Sequence, residues 1–442
     1  MKRLLSDYGM VLVLLALCVF FSAITYTEQH PAGESGGREL ARQIIDQADP
    51  GATVLIAARA HEEDRLFAEA LRNALAAGGI TVVEVINGEP SDARRALQSL
   101  QQSGTRLDWI AGNQVTAGWL VFADLGTDFP ALGNPRLIHP ESYHWPNFLK
   151  RDNLLNISNQ IAVIAILAIG MTMVIITAGI DLSVGSLIAL SAVVTSWSIV
   201  NLAGAQAAGA TGMLLGCLVG IGVSGLVGLF SGAMVTKFRI PPFIVTLAMM
   251  LVASGIAYLI AQGQSIYQVP DSFVWLGRGA DLFGIPNAVV LMVALYVAAH
   301  FLMSRMKMGR YLYAVGGNPE AARLSGVPVN RVLLFAYAAS GVLAGLGGVV
   351  MASQLRSGSP TYGQMYELYT IAAVVVGGTS LAGGEGKMFG TLIGAFIIAV
   401  IQNGMNLKGV EPYTQRVVLG LVILIAVLLD RLRQRMLRQS KN

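Results

Sequence analysis

Charge is scarce in this sequence. Asp, Glu, Lys and Arg make up 13% of its 442 residues, against about 25% in a typical soluble chain. A single soluble globule is thereby excluded, and the apolar majority excludes a disordered chain. Cysteine is scarcer still: Cys18 and Cys217 both sit in apolar runs. They cannot build a disulfide framework and lack metal-ligand spacing. Nucleotide motifs are missing too. Gly386-Lys387 is followed by Met388 and has no Gly five residues before Gly386, so it is not a P-loop. Gly220-Ile221-Gly222-Val223-Ser224-Gly225 spells a dinucleotide fingerprint, but inside an apolar run with no preceding soluble strand. No Ser/His/Asp arrangement suggests catalysis. The expectation is no catalytic residue, no metal, no cofactor and no nucleic-acid partner.

What is abundant is apolar sequence and glycine: 54% hydrophobic residues and 50 Gly. A spanning helix needs about 20 mostly apolar residues. Candidate spans lie near 8–26, 157–178, 182–200, 213–236, 243–261, 286–304, 332–353, 367–382, 388–406 and 416–430. The eighth is short and is interrupted by Gly377, Gly378 and Gly383, as in segments that line a cavity. Gly216 with Gly220, and Gly341 with Gly345, read as close helix contacts.

Charge is also unevenly placed. Residues 27–152 carry 11 Lys/Arg and 17 Asp/Glu, a net of −6; the rest carries 19 and 9, a net of +10. Lys2 and Arg3 precede the first apolar stretch. The residue before Cys18 is Leu17, too large for lipoprotein cleavage, and Phe21-Ser22-Ala23 is a poor small-x-small site, so the stretch reads as an uncleaved anchor. The positive-inside rule then puts both termini in the cytoplasm and 27–152 outside. Lys237/Arg239, Arg305/Lys307/Arg310, Arg323/Arg331, Lys387 and the tail Arg431, Arg433, Arg435, Arg438 and Lys441 all fall inside.

The expected fold is a polytopic all-α membrane protein of about ten transmembrane helices with a small external α/β insert. Residues 1–26 form the first anchor, 27–152 the insert and its linker, and 153–442 the membrane core. Within the insert, 53–58, 80–86 and 107–111 read as strands. Residues 62–77 read as a helix with Leu66, Phe67, Ala70, Leu71 and Leu75 on one face. A second helix, capped by Ser91, runs to Gln102. Residues 125–150, rich in Pro and aromatics, read as a linker. The stretches 88–97 and 107–113 resemble one lobe of a periplasmic sugar-binding protein of the ribose-binding type. In that family a strand-end Asn, here Asn113, often faces the sugar. One lobe cannot close on a ligand, so the insert is expected to bind no sugar alone.

Four stretches in the membrane frame stand out. Ile175–Ser186 joins two spans through a very short turn, and Asp181 is the only carboxylate between Asp152 and Asp271. An ionisable group at membrane depth marks function by default; Asp181 either caps the next helix or meets the solute or a proton. Lys237–Leu247 anchors a helix that Pro242 can open. In Gly316–Gly326, Asn318 is an N-cap, Pro319 occupies N1, Glu320 complements the helix dipole and Gly326 stops the helix. The fourth is Tyr366–Ala373 followed by Gly377–Gly384.

These four, in this order over about 150–430, resemble the membrane permease subunit of the ribose-type ABC sugar importers. The resemblance implies a bacterial inner-membrane protein, a separate ATP-binding subunit that hydrolyses ATP, a periplasmic solute-binding protein and a homodimer of permeases. ATPase coupling is expected at Asn318, Glu320, Ala321, Ala322, Arg323 and Gly326. Polar groups within or beside the spans give a candidate solute pathway: Thr177, Asp181, Ser183, Thr246, Gln402, Asn403 and Asn406. Two features depart from the family: Tyr369 stands where an acidic residue is usual, and the long insert follows the first span. Two other classes remain open, a proton-coupled secondary transporter using Asp181 and a membrane-anchored receptor sensing a ligand through the insert.

Overall fold

The computed structural model describes residues 2–49 and 51–439. Lys441 of the basic tail lies outside them. The chain divides into two compact units: Tyr26–Pro146, and the described residues of 1–25 with those of 147–442. Helix α1 (Lys2–Ile24) belongs to the second unit.

The Tyr26–Pro146 unit runs β1 (Tyr26–Gln29), α2 (Gly33–Gln47), β2 (Thr53–Ala58), α3 (Glu62–Ala77), β3 (Thr81–Asn87), α4 (Pro90–Gln102), β4 (Trp109–Gly112), the short helices α5 (Gln114–Ala117) and α6 (Leu125–Asp128), β5 (Arg136–Ile138) and β6 (Tyr143–Pro146). Four strands pair in parallel in the order β3-β2-β4-β5. β2 is apolar throughout because both its faces are covered. Val54 and Ile56 point into a core with Leu40, Ile44, Phe67 and Leu71, while Leu55 and Ala57 point into one with Leu97, Leu100, Phe122 and Leu132. Helix α3 has the expected bounds. The expected linker does not exist as such: 125–150 contributes α6, β5 at the sheet edge, and β6. These strands escape a pattern reading because they are three or four residues long and flanked by prolines. Helix α2 was not anticipated either. The N-cap of α4 is Glu89 rather than Ser91, since Pro90 opens the first turn and Asp92 Oδ2 accepts the Glu89 N–H at 2.8 Å. β6 pairs antiparallel with β1, Tyr26 opposite Pro146, so the unit's two ends are neighbours.

The second unit continues with α7 (Arg151–Ile176), α8 (Val184–Leu202), α9 (Ala210–Lys237), α10 (Pro242–Ala261), the short α11 (Trp275–Arg278), α12 (Asn287–Arg305), α13 (Lys307–Gly317), α14 (Pro319–Leu324), α15 (Val329–Leu355), α16 (Tyr366–Val376), α17 (Met388–Leu407) and α18 (Pro412–Gln439). Among the described residues, seven helices (α7–α10, α12, α15 and α17) are long and apolar enough to cross a membrane. Shorter apolar stretches at Gly9–Ile24, Tyr366–Val376 and Pro412–Ile425 fall on the remaining expected spans. The chain is a polytopic helical membrane protein.

Helix α7 is the centre of this unit: 89% of its apolar window is buried, against 28% for α9 and 22% for α10. Helix α15 crosses α7, α8 and α9. Small residues set these distances. A Cβ added at Gly341 of α15 would lie 2.9 Å from Gly228 Cα of α9, and one at Gly170 of α7 would lie 2.7 Å from Ser340 Cα. Gly220 is just as close to α8, at 2.8 Å from Ser191 O. Backbones approach this closely only where no side chain intervenes. Outward faces are apolar, with Phe243, Ile244, Leu251 and Leu259 exposed on α10, and Val417, Leu421, Leu424 and Leu428 on α18.

Candidate functional site

Helix α16 has 11 residues, about 16 Å at 1.5 Å per residue, half a bilayer core. The non-helical stretch 356–365 leads into it, and positive-φ glycines Gly378, Gly383 and Gly384 lead away. Such a broken helix is stable at membrane depth only where protein covers its backbone. Around its start lies a groove of about 410 Å³. Gly185, Ser186 and Ala189 of α8, Met250, Leu251 and Ser254 of α10, residues 360 and 362–365, Glu367 of α16 and Arg416 of α18 line it. Residues 250–254 lie 8 to 12 steps from Pro242, roughly 12–18 Å along a helix of about 30 Å, so the groove sits near mid-span. Neither Glu367 nor Arg416 pairs with a charged or hydrogen-bonding side chain among the described residues; Arg416 stacks on Tyr413.

A second cavity, of about 230 Å³, lies between α7, α15, α16 and α17. Gln160, Gln354, Gln402 and Tyr366 are its polar wall. Gln354 Nε2 donates to Asn159 O at 3.0 Å. The Gln402 amide has no partner among the described residues.

The other expected pathway residues are placed differently. Asp181 is fully buried. Its Oδ1 accepts the Ser183 N–H at 3.0 Å and the Ser183 hydroxyl at 2.6 Å, and its Oδ2 accepts the Ser340 hydroxyl at 2.7 Å. Helix α8 starts at Val184, so Asp181 makes a local turn and ties it to α15, and neither cavity touches it. Thr246 Oγ1 donates to Ile180 O at 3.1 Å, and Thr177 Oγ1 to Val174 O at 2.7 Å. Thr177, Asp181, Ser183 and Thr246 thus hold one buried turn in place, and that turn sets where Gly185 and Ser186 meet the groove. Asn403 and Asn153 exchange amide hydrogen bonds at 2.8 and 3.1 Å. Asn406 Oδ1 accepts from Gln415 Nε2 at 2.8 Å. Of the seven, only Gln402 lines either of these two cavities.

The Asn318 cap forms as its chemistry dictates. Its Oδ1 accepts the Glu320 and Ala321 N–H groups at 3.0 and 2.9 Å, Pro319 fills N1, and Gly326 turns the chain at φ +81°. Ala322 is buried; Glu320, Ala321, Arg323 and Gly326 are exposed, and Leu324 is 90% exposed. Glu320 and Arg323 pair at 3.4 Å. Helix α13, which precedes α14, is held in place. Gly384 N–H donates to Ile176 O at 2.8 Å, Tyr313 of α13 donates to Gly386 O at 2.8 Å, and Gly383 approaches Gly316 O. The 377–387 loop therefore joins α13, the end of α7 and the start of α17.

A family profile described as "Branched-chain amino acid transport system / permease component" matches residues 153–427. The chain belongs to this permease family. The ribose import permease protein RbsC of Escherichia coli (strain K12) is 45% identical over 297 residues, covering 65% of the permease and 88% of that relative. RbsC of Bacillus subtilis (strain 168) is 44% identical over 288 residues, covering 65% and 87%. The D-allose transport system permease protein AlsC of Escherichia coli (strain K12) is 38% identical over 285, covering 64% and 85%. No solved structure matches the permease. The profile begins after the α/β unit, which lies outside the matched residues. Sequence reasoning passed over Glu367, Arg416, Ser186 and Ser254. A signal for the first was available: Glu367 is the only carboxylate between Glu320 and Glu385, the same singularity that drew attention to Asp181.

Proposed function

We propose that the permease is the membrane subunit of an ATP-driven importer for a simple sugar or similar polar solute, working with a separate ATP-binding subunit. The observation that carries this is α14: a short, capped helix with an exposed apolar tip, packed on α13 and α15, with α13 tied through the 377–387 loop to α7 and α17. A groove on an ATPase can grip such a helix and move it. The likeness to permeases named for ribose and D-allose, and to an L-arabinose transport system permease, supports the solute class. The reading includes a bacterial inner-membrane location with both termini cytoplasmic, the α/β insert outside, a periplasmic solute-binding protein and a homodimer. The apolar outer faces of α10 and α18 suit a second copy. The insert is a docking lobe or spacer rather than a sugar receptor. Asn113, which would face a sugar, instead caps α5, its Oδ1 accepting the Val115 and Thr116 N–H groups at 3.0 and 2.9 Å. Against the proton-coupled alternative, both Asp181 oxygens accept hydrogen bonds and neither cavity described above reaches them.

The test is D-ribose uptake into vesicles holding the permease with its ATP-binding subunit and solute-binding protein. Uptake should require ATP inside the ATPase-bearing compartment. Uptake driven by a proton gradient without ATP would overturn the reading.

A further inference from the structure

We propose that the groove at Glu367 is a solute checkpoint of the permease, and that it takes a neutral polyhydroxylated molecule between the Glu367 carboxylate and the Arg416 guanidinium. This rests on the transport reading above and adds a site and a recognition chemistry to it.

Position is the first support. The groove lies near the middle of α10, where a transported solute must leave water, and it is built on a broken helix, the usual architecture of mid-membrane solute sites. Its volume of about 410 Å³ falls within the range of about 300–1,000 Å³ for small-molecule sites.

Charge is the second. Few ionisable side chains lie at membrane depth in this chain, and Asp181 is fully satisfied by serines. Glu367 and Arg416 differ: they line one groove, have opposite signs, and neither neutralises the other or any described neighbour. Glu367 is half-buried in the groove, whereas Arg416, in the second turn of α18, is exposed at its rim; a carboxylate left unmatched among apolar helices is costly unless a ligand or water completes it. Helix α16 accounts for a negative charge in its first turn but not for the open space in front of it. Gly185 gives the carboxylate its seat: a Cβ there would collide with Glu367 Oε2 and stand 2.6 Å from Gly363 O.

The lining chemistry gives the ligand class. A carboxylate accepts two hydroxyl protons and a guanidinium donates in a planar fork. Ser186 and Ser254 add groups that both donate and accept. A neutral polyol presents donors and acceptors from every carbon and can meet all of these at once. An anion would face Glu367, and a cation Arg416. A zwitterion is the competing occupant, and the experiment separates the two.

The full-length chain is placed in lipid nanodiscs, with Cys18 and Cys217 replaced by Ser and Met250→Cys, at a lining position with no recognition role, as a reporter. At twice its dissociation constant, D-ribose should slow thiol labelling of the reporter about threefold through occupancy alone, and L-valine should not. Glu367→Gln should remove the protection while the unprotected rate is unchanged, which shows an intact groove. If that variant alters the unprotected rate, Arg416→Gln is read in the same way. No ribose protection in the Glu367 chain, protection by valine instead, or protection that survives in the variant that keeps its labelling rate overturns the proposal. Neither ATPase nor binding protein is present. A failure of ATP-driven uptake with protection intact therefore strikes the transport reading and leaves the site standing.

Discussion

Replacing Asn403 by Leu distinguishes a pathway residue from a helix tie. Asn403 Nδ2 donates to Asn153 Oδ1 at 2.8 Å and Asn153 Nδ2 donates to Asn403 Oδ1 at 3.1 Å, joining α17 to the first turn of α7. Each bond contributes about 0.5–1.5 kcal/mol net, and a stranded partly buried amide adds a desolvation cost, so Asn403→Leu should destabilise by roughly 2–3 kcal/mol. Asn153 keeps one bond, to Phe148 O at 2.8 Å, which places the loss at the lower end. Asn153→Leu should cost at least as much, because that bond goes too. The double variant strands neither amide at this contact, so its loss should fall short of the sum by about 1–2 kcal/mol. The assay is the midpoint temperature for loss of the monodisperse detergent-solubilised protein, with uptake normalised to folded protein in parallel. Uptake per folded molecule should stay near wild type in all three variants. Strictly additive losses, or a wild-type midpoint in Asn403→Leu with uptake abolished, would refute the tie.

Other expectations follow from single contacts. Glu320→Lys with Arg323→Glu preserves the exposed i,i+3 pair but reverses the face of α14; both charges then oppose the helix dipole, costing about 0.5–1.5 kcal/mol, and ATP hydrolysis should no longer drive uptake. Gly341→Ala places a Cβ 2.5 Å from Ser224 O and 2.9 Å from Gly228 Cα, so overpacking between α9 and α15 should cost about 1–3 kcal/mol, read by the same thermal assay. In the insert, burial pushes the Asp64 carboxyl up, but the Arg59 side chain, Asn113 and the Arg59 N–H outweigh it and hold it below the usual range. A lowered folded-state value stabilises the unit above an unfolded value of about 3.9 and loses that stability as pH falls through the folded value. Hydrogen exchange of β2 and α3 in the full-length chain should accelerate below that pH, and Asp64→Asn should flatten the dependence.

The legible features were the local ones. Asn318-Pro319-Glu320 announces a helix start because cap, ring and dipole act within four residues. The alternation that identified β2 and α3 is local as well. Asp181 was legible as a singular carboxylate but not as a tie, since its partner Ser340 is 159 positions away. Asn403 and Asn153 are 250 apart, and their pairing has no local trace. The groove was least legible: it draws residues from α8, α10, the 360–365 stretch, α16 and α18, and only tertiary packing brings them to one place. The proline-rich 125–150 misled for the opposite reason. Its composition is that of a linker, and only the existing sheet edge converts three of its residues into β5.

The ladder of β1 and β6 makes the α/β unit separable. Its first and last residues, Tyr26 and Pro146, lie side by side. The flanking residues are also already in contact, Asn147 N–H donating to Thr25 O at 3.0 Å and Phe148 N–H to Thr25 Oγ1 at 3.2 Å. Cutting out 26–146 therefore leaves two chain ends that a single short Gly-Ser bridge can rejoin without moving α1 or α7. The α/β unit can thus be removed in one laboratory deletion that leaves the α1–α7 contact in place and asks what uptake loses with it.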